Sequence, residues 1–121
     1  VIPLKVSAPF HCALMRPAAV AIEQELGPVA VGELAFPVIA NVDAAPTQDK
    51  ERVKDLLVKQ VDSPVEWVKS IRRAVEMKID VALEIGPGKV LAGLVKRIDK
   101  SLRVVSVSDA KAVDDLATLL G

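Results

Sequence analysis

The chain has 121 residues, 51% of them hydrophobic, and carries 16 basic against 16 acidic side chains for a formal net charge of +0. That is one domain's worth of material, long enough for a core but short for a complete α/β enzyme. With balanced charge, two Phe, one Trp and no Tyr, it lacks both the basic footprint and the stacking platform of a nucleic-acid binder, and no apolar run approaches the roughly 18 residues that span a bilayer.

The opening alternation Ile2-Pro3-Leu4-Lys5-Val6 reads as the middle of a longer polypeptide. Leu14, Ala18, Ala21, Ile22 and Leu26 then recur at helical spacing, with Pro17 in a first turn and Gly27 as a stop. Phe36 to Val42 predicts a buried strand closed by the turn Asp43-Ala44-Ala45-Pro46. From about Asp49 to Val61, Val53, Leu56, Leu57 and Gln60 or Val61 share the face of an amphipathic helix. Ser63-Pro64-Val65-Glu66 has the form of a capping box, predicting a helix that starts there with Val68, Ile71 and Val75 as its buried stripe.

Val81 to Ile85 predicts a strand, Gly86-Pro87-Gly88 a sharp turn, and Lys89 to Ile98 a helix. Val104 to Val107 predicts another strand and Ala112 to Leu120 a last helix. Strands separated by helices in this order imply an α/β fold with parallel pairing and right-handed crossovers. No internal repeat or linker divides residues 1–121. A mean hydropathy of +0.36 is high for this size, and predicts either strands buried on both faces or a surface that something else covers.

Chemistry concentrates in Ser7-Ala8-Pro9-Phe10-His11-Cys12-Ala13-Leu14-Met15, which holds the chain's one histidine. Imidazole, with an ordinary pKa of about 6.5, both takes and returns a proton near neutrality, so His11 is the candidate acid–base. A hydrogen-bonded structural histidine is the alternative. Cys12 is the one cysteine; it excludes an intrachain disulfide, fits a reducing cytoplasm and, beside a single histidine, makes no metal site. Gly86-Pro87-Gly88-Lys89 fails as a Walker A loop, because Leu83 stands where the first glycine belongs and Val90 where Ser or Thr belongs. The third glycine of a dinucleotide fingerprint is also missing. None of Ser7, Ser63, Ser70, Ser101, Ser106 and Ser108 sits in a Gly-x-Ser-x-Gly elbow. The chain therefore offers a base without a nucleophile.

Leu4-x-Val6-Ser7-x-Pro9-Phe10-His11-Cys12-Ala13-Leu14-Met15-x-Pro17-Ala18-Ala19 is followed by Pro37-Val38-Ile39-Ala40-Asn41-Val42-Asp43 and Leu57-Val58-Lys59-Gln60. Then come Ser63-Pro64-Val65-x-Trp67 and Glu84-Ile85-Gly86-Pro87-Gly88-Lys89-Val90-Leu91-x-Gly93-Leu94. In this order and spacing they closely resemble the C-terminal part of malonyl-CoA:acyl carrier protein transacylases of fatty acid synthesis. The resemblance implies that His11 is the catalytic histidine, that the backbone carbonyl of Gln60 orients its imidazole, and that Phe10 beside it lines the acyl pocket. Gly86 to Lys89 match a turn for which a structural role is expected.

The same resemblance implies that residues 1–121 are the C-terminal portion of an α/β-hydrolase-like large subdomain with a parallel sheet, the ferredoxin-like subdomain being absent. The nucleophilic serine, the arginine for the malonyl carboxylate and the oxyanion-hole groups would lie in a missing N-terminal portion of the same enzyme. The implied substrates and partners are malonyl-CoA and acyl carrier protein, with no cofactor, no metal, no nucleic acid and no membrane, in the cytoplasm. The alternative is a non-catalytic truncated homologue that binds a carrier protein or a subunit.

Overall fold

The computed structural model describes residues 9–116 and 118. The alternation at Ile2 to Val6, Ser7, and the end of the last helix at Leu119 and Leu120 lie outside the described residues. The chain divides into two compact units, Val1–Ser70 and Ile71–Gly121.

In the first unit a 3-10 turn, Ala13–Met15, leads into helix α1, Arg16–Leu26. Pro17 occupies the first turn, where its missing N–H has no partner to lose. Gly27 caps the helix but keeps a right-handed φ of −46°, so the stop comes from Pro28, which has no N–H to continue the ladder. Strands β1 (Val38–Ile39) and β2 (Pro46–Thr47) pair antiparallel, Val38 opposite Thr47. Helix α2, Lys50–Asp62, starts where Asp49 accepts the N–H of Glu51 at 3.0 Å and packs against α1.

Two expectations fail in this unit. Phe36 to Val42 is not a buried strand: two residues pair, and Phe36 and Val38 are exposed. The reason is local, since Asp43 Oδ1 accepts the N–H of Ala45 and Ala44 takes a left-handed φ of 53°, folding the chain back onto itself in antiparallel pairing. The Ser63 capping box does not form either. Ser63, extended at φ −114° and ψ 151°, is the C-cap of α2, and the next helix, α3, runs Trp67–Glu76. Proline acts backwards here, barring helical conformation at the residue before it, while the N–H of Glu66 is taken by the Asn41 carbonyl at 2.7 Å instead of a serine hydroxyl.

Helix α3 crosses the division between the units and stops at Lys78, which is left-handed with φ 65°. The N–H of Ile79 returns to the Ala74 carbonyl at 3.1 Å, closing the last turn as a left-handed cap does. In the second unit β3 (Val81–Ile85) pairs parallel with β4 (Arg103–Val107), in register from Val81 with Arg103 to Ile85 with Val107. Helix α4, Val90–Ile98, connects them, as strands in parallel require. Helix α5, Ala110–Asp114, begins two residues before the predicted start because Asp109 accepts the N–H of Ala112 at 2.8 Å.

The architecture is thus mixed α/β, with helices and two small sheets. Val95, Leu102, Val105 and Val107 are buried in the second unit, Ala19, Ala44 and Leu56 in the first. The strands are not buried on both faces: Ile85 is 80% exposed and Leu83 38%. The excess hydropathy resides on the surface.

Candidate active site

His11 lies at the turn before α1, in a left-handed backbone conformation with φ 56°. A non-glycine residue in that region costs about 1–2 kcal/mol, and such strain gathers where a side chain must be aimed. The imidazole is exposed, and its Nδ1 lies 2.8 Å from the main-chain oxygen of Gln60, across 49 residues of sequence. In the neutral ring Nδ1–H donates to that carbonyl, and the Nε2 lone pair remains for a proton.

Helices α1, which follows His11, and α2, which carries Gln60, are fastened at both ends. At the site end, Arg16 Nη1 donates to Asp62 Oδ2 at 2.9 Å, with the Asp62 side chain only 12% exposed. That hydrogen bond first, and the guanidinium charge with it, hold the Asp62 carboxyl below the usual carboxylate range. At the far end, Lys54 Nζ donates to the last carbonyl of the α1 cap, Gly27, at 2.8 Å. Arg16 and Asp62 carried no signal in the sequence pattern beyond opposite charge. Beside Gln60 opens an apolar cavity of about 500 Å³, walled by Leu34, Val38, Ile39, Val53, Leu56 and Leu57 among others.

Phe10 is 62% exposed next to His11. The Cys12 thiol donates to the Pro9 carbonyl at 3.1 Å. Gly86 and Gly88 take φ 132° and 96°, values that a side chain rarely adopts, so Gly86-Pro87-Gly88 is the sharp turn its composition predicts. The amides behind it are occupied: Glu84 Oε1 and Oε2 accept the N–H groups of Leu91 and Ala92 at 2.9 and 3.1 Å. Their occupation by an internal carboxylate removes the anion cradle a phosphate loop would need. Among the described residues no group of three or more His, Cys, Asp or Glu could hold a metal ion, and no helix is long and apolar enough to cross a membrane.

The relatives of this chain, in sequence and in structure, are acyltransferases. In particular they are malonyl CoA-acyl carrier protein transacylases. The Bacillus subtilis protein of that name is 40% identical over 113 residues, covering 93% of this chain and 36% of its own length. The acyl-carrier-protein S-malonyltransferase structure from Bartonella henselae is 42% identical with a TM-score of 0.89, over 98% of this chain and 38% of that one. A malonyl-transacylase solved in complex with its type II PKS acyl-carrier protein superposes with a TM-score of 0.86 at 40% identity, over 94% and 37%. No family model matches the chain. The chain is therefore homologous to malonyl CoA-acyl carrier protein transacylases over little more than a third of their length.

Proposed function

We propose that this chain supplies the acid–base half of a malonyl-CoA:acyl carrier protein transacylase. The carrying observation is the 2.8 Å contact from His11 Nδ1 to the Gln60 carbonyl, made from a strained backbone and leaving Nε2 open. On this proposal Nε2 takes the proton of a serine hydroxyl outside this chain as the oxygen attacks the malonyl thioester, and returns it to the departing thiolate of CoA. In the second half Nε2 takes the proton of the carrier protein's phosphopantetheine thiol. The thiolate attacks the malonyl ester, and the proton goes back to the serine oxygen. A main-chain oxygen does for the imidazole what a carboxylate does in the more familiar triads, and Phe10 lines the acyl pocket.

Several expectations belong to the same proposal. Residues 1–121 form the returning portion of an α/β-hydrolase-like large subdomain without its ferredoxin-like insertion. The CoA thioester is substrate, no cofactor or metal takes part, and the cytoplasm is the compartment. The exposed apolar surface and the share of relatives' length support this view, since a nucleophile-bearing portion has to meet the base somewhere.

Grafting tests it. This chain is exchanged for the matching segment of the Bacillus subtilis relative, and malonyl transfer from CoA to acyl carrier protein is followed. The parent graft should turn over, and His11→Ala should cost on the order of 10²–10⁴-fold in rate. A graft that turns over equally well with alanine overturns the proposal. A folded graft that binds carrier protein without turnover, with or without His11, favours the binding-module alternative.

A further inference from the structure

Helix α2 ends at Asp62, so the carbonyls of its last turn have no partner within the helix. Another turn would close the Gln60 carbonyl with the N–H at i+4. That residue is Pro64, which has no N–H. Proline also holds Ser63 extended, and the N–H of Glu66 is already committed to Asn41. The Gln60 oxygen is thus left without its i+4 helical donor at the place where His11 Nδ1 approaches to 2.8 Å. Two residues beyond Gln60, Asp62 is bonded to Arg16 at 2.9 Å, which ties the helix end to the first turn after the histidine.

We infer that Pro64 and the Arg16–Asp62 pair are positioning residues for the imidazole: the proline keeps the Gln60 carbonyl vacant, the ion pair holds it in reach, and together they select the Nδ1–H tautomer. Free neutral histidine carries its proton mainly on Nε2, so the selection runs against the intrinsic preference of the ring. Its purpose rests on the proposed function, but its test does not.

His11 is the one histidine in the chain, so nitrogen-15 imidazole spectra of the 121-residue chain at about pH 8, above the ordinary imidazole range, report on this residue alone. The native chain should show a protonated Nδ1 and a bare Nε2. In Pro64→Ala the new N–H competes for the carbonyl, and the Nδ1–H to Nε2–H ratio should fall by roughly 3- to 10-fold, the weight of one net hydrogen bond. Arg16→Met and Asp62→Asn should move the ratio in the same direction, and Arg16→Lys, which keeps a cation for Asp62, should restore it. Amide spectra establish that each variant is folded; if Pro64→Ala is not, the Arg16 and Asp62 variants decide. A native chain protonated on Nε2, or folded variants with an unchanged ratio, overturns the inference. A tautomer that shifts as expected beside a fully active His11→Ala graft overturns the proposed function and leaves this inference standing.

Discussion

Glu84 Oε1 accepts the amide N–H of Leu91 at 2.9 Å, so the C-terminal end of β3 closes the first turn of α4, the helix that follows it. Oε2 takes Ala92 and the Ser106 hydroxyl as well. Partial desolvation is the largest single influence and would raise the carboxyl, but the three hydrogen bonds, two from backbone N–H groups and one from a hydroxyl, together outweigh it and hold Glu84 below the usual glutamate range. The native state therefore binds fewer protons than the unfolded one as acid is added. Its contribution is complete above the ordinary glutamate pKa of about 4.3 and is lost as pH falls through the lower folded value. Glu84→Gln should lower the urea midpoint at pH 7 and flatten the acid limb of stability. An equal loss at pH 7 and pH 3 would contradict the charge-assisted cap.

The left-handed backbone at His11 separates two substitutions that look alike. His11→Ala loses the bond to Gln60 and keeps the strain, whereas His11→Gly loses the same bond and relieves it. Glycine should be the more stable variant by about 1 kcal/mol, read from urea unfolding of the chain. Equal stabilities would mean that φ at this position relaxes once the imidazole is gone.

Lys78 offers the same relief without any cost to the site. It occupies a left-handed cap at φ 65°, a position that glycine fills with no Cβ penalty. Lys78→Gly should raise stability by about 1 kcal/mol, seen as a higher denaturation midpoint with an unchanged slope.

In the grafted enzyme, Gln60→Ala should leave malonyl transfer within about threefold of the parent, because alanine presents the same main-chain oxygen. His11→Ala should lose on the order of 10²-fold or more. Comparable losses in two folded variants would assign the side chain of Gln60, a residue that lines the apolar cavity, a part in catalysis.

Phe10 is bulky, exposed and adjacent to the proposed base. If it narrows the acyl pocket against an α-methyl branch, Phe10→Ser in the graft should shift the ratio of kcat/KM values towards methylmalonyl-CoA by tens- to hundreds-fold, the worth of one methyl group in an apolar pocket. An unchanged ratio would mean that other residues close the pocket.

Elements built on local signals were legible. Asp49, Val53 and Leu56 mark α2 almost to the residue, and Val81 to Ile85 with Val104 to Val107 mark the parallel pair. Errors arose where one residue type carries two instructions. Pro64 opens helices and ends them, and the choice was made by Asn41, whose carbonyl takes the Glu66 N–H from a distance in sequence that no spacing rule sees. Glu84 was missed because an acid in a strand has no motif of its own; the signal was the unprotected helix start just beyond Gly88, which attracts a carboxylate. The approach of Gln60 to His11 was not readable from composition or periodicity, since a carbonyl is common to every residue. The resemblance alone pointed to it.

That anonymity shapes how the chain can vary. Any codon change at position 60 that preserves the helix delivers the same oxygen to the imidazole, so the contact is almost immune to mutation there. At position 64 the situation reverses, because proline is the one encoded amino acid without a main-chain N–H, and every nonsynonymous change introduces a rival donor. The genetic fragility of the histidine's partner is thus displaced one helical turn away from the atom that makes the bond. In the grafted enzyme, a saturation library read for turnover should be near-neutral at 60 and show a loss of roughly 3- to 10-fold at 64.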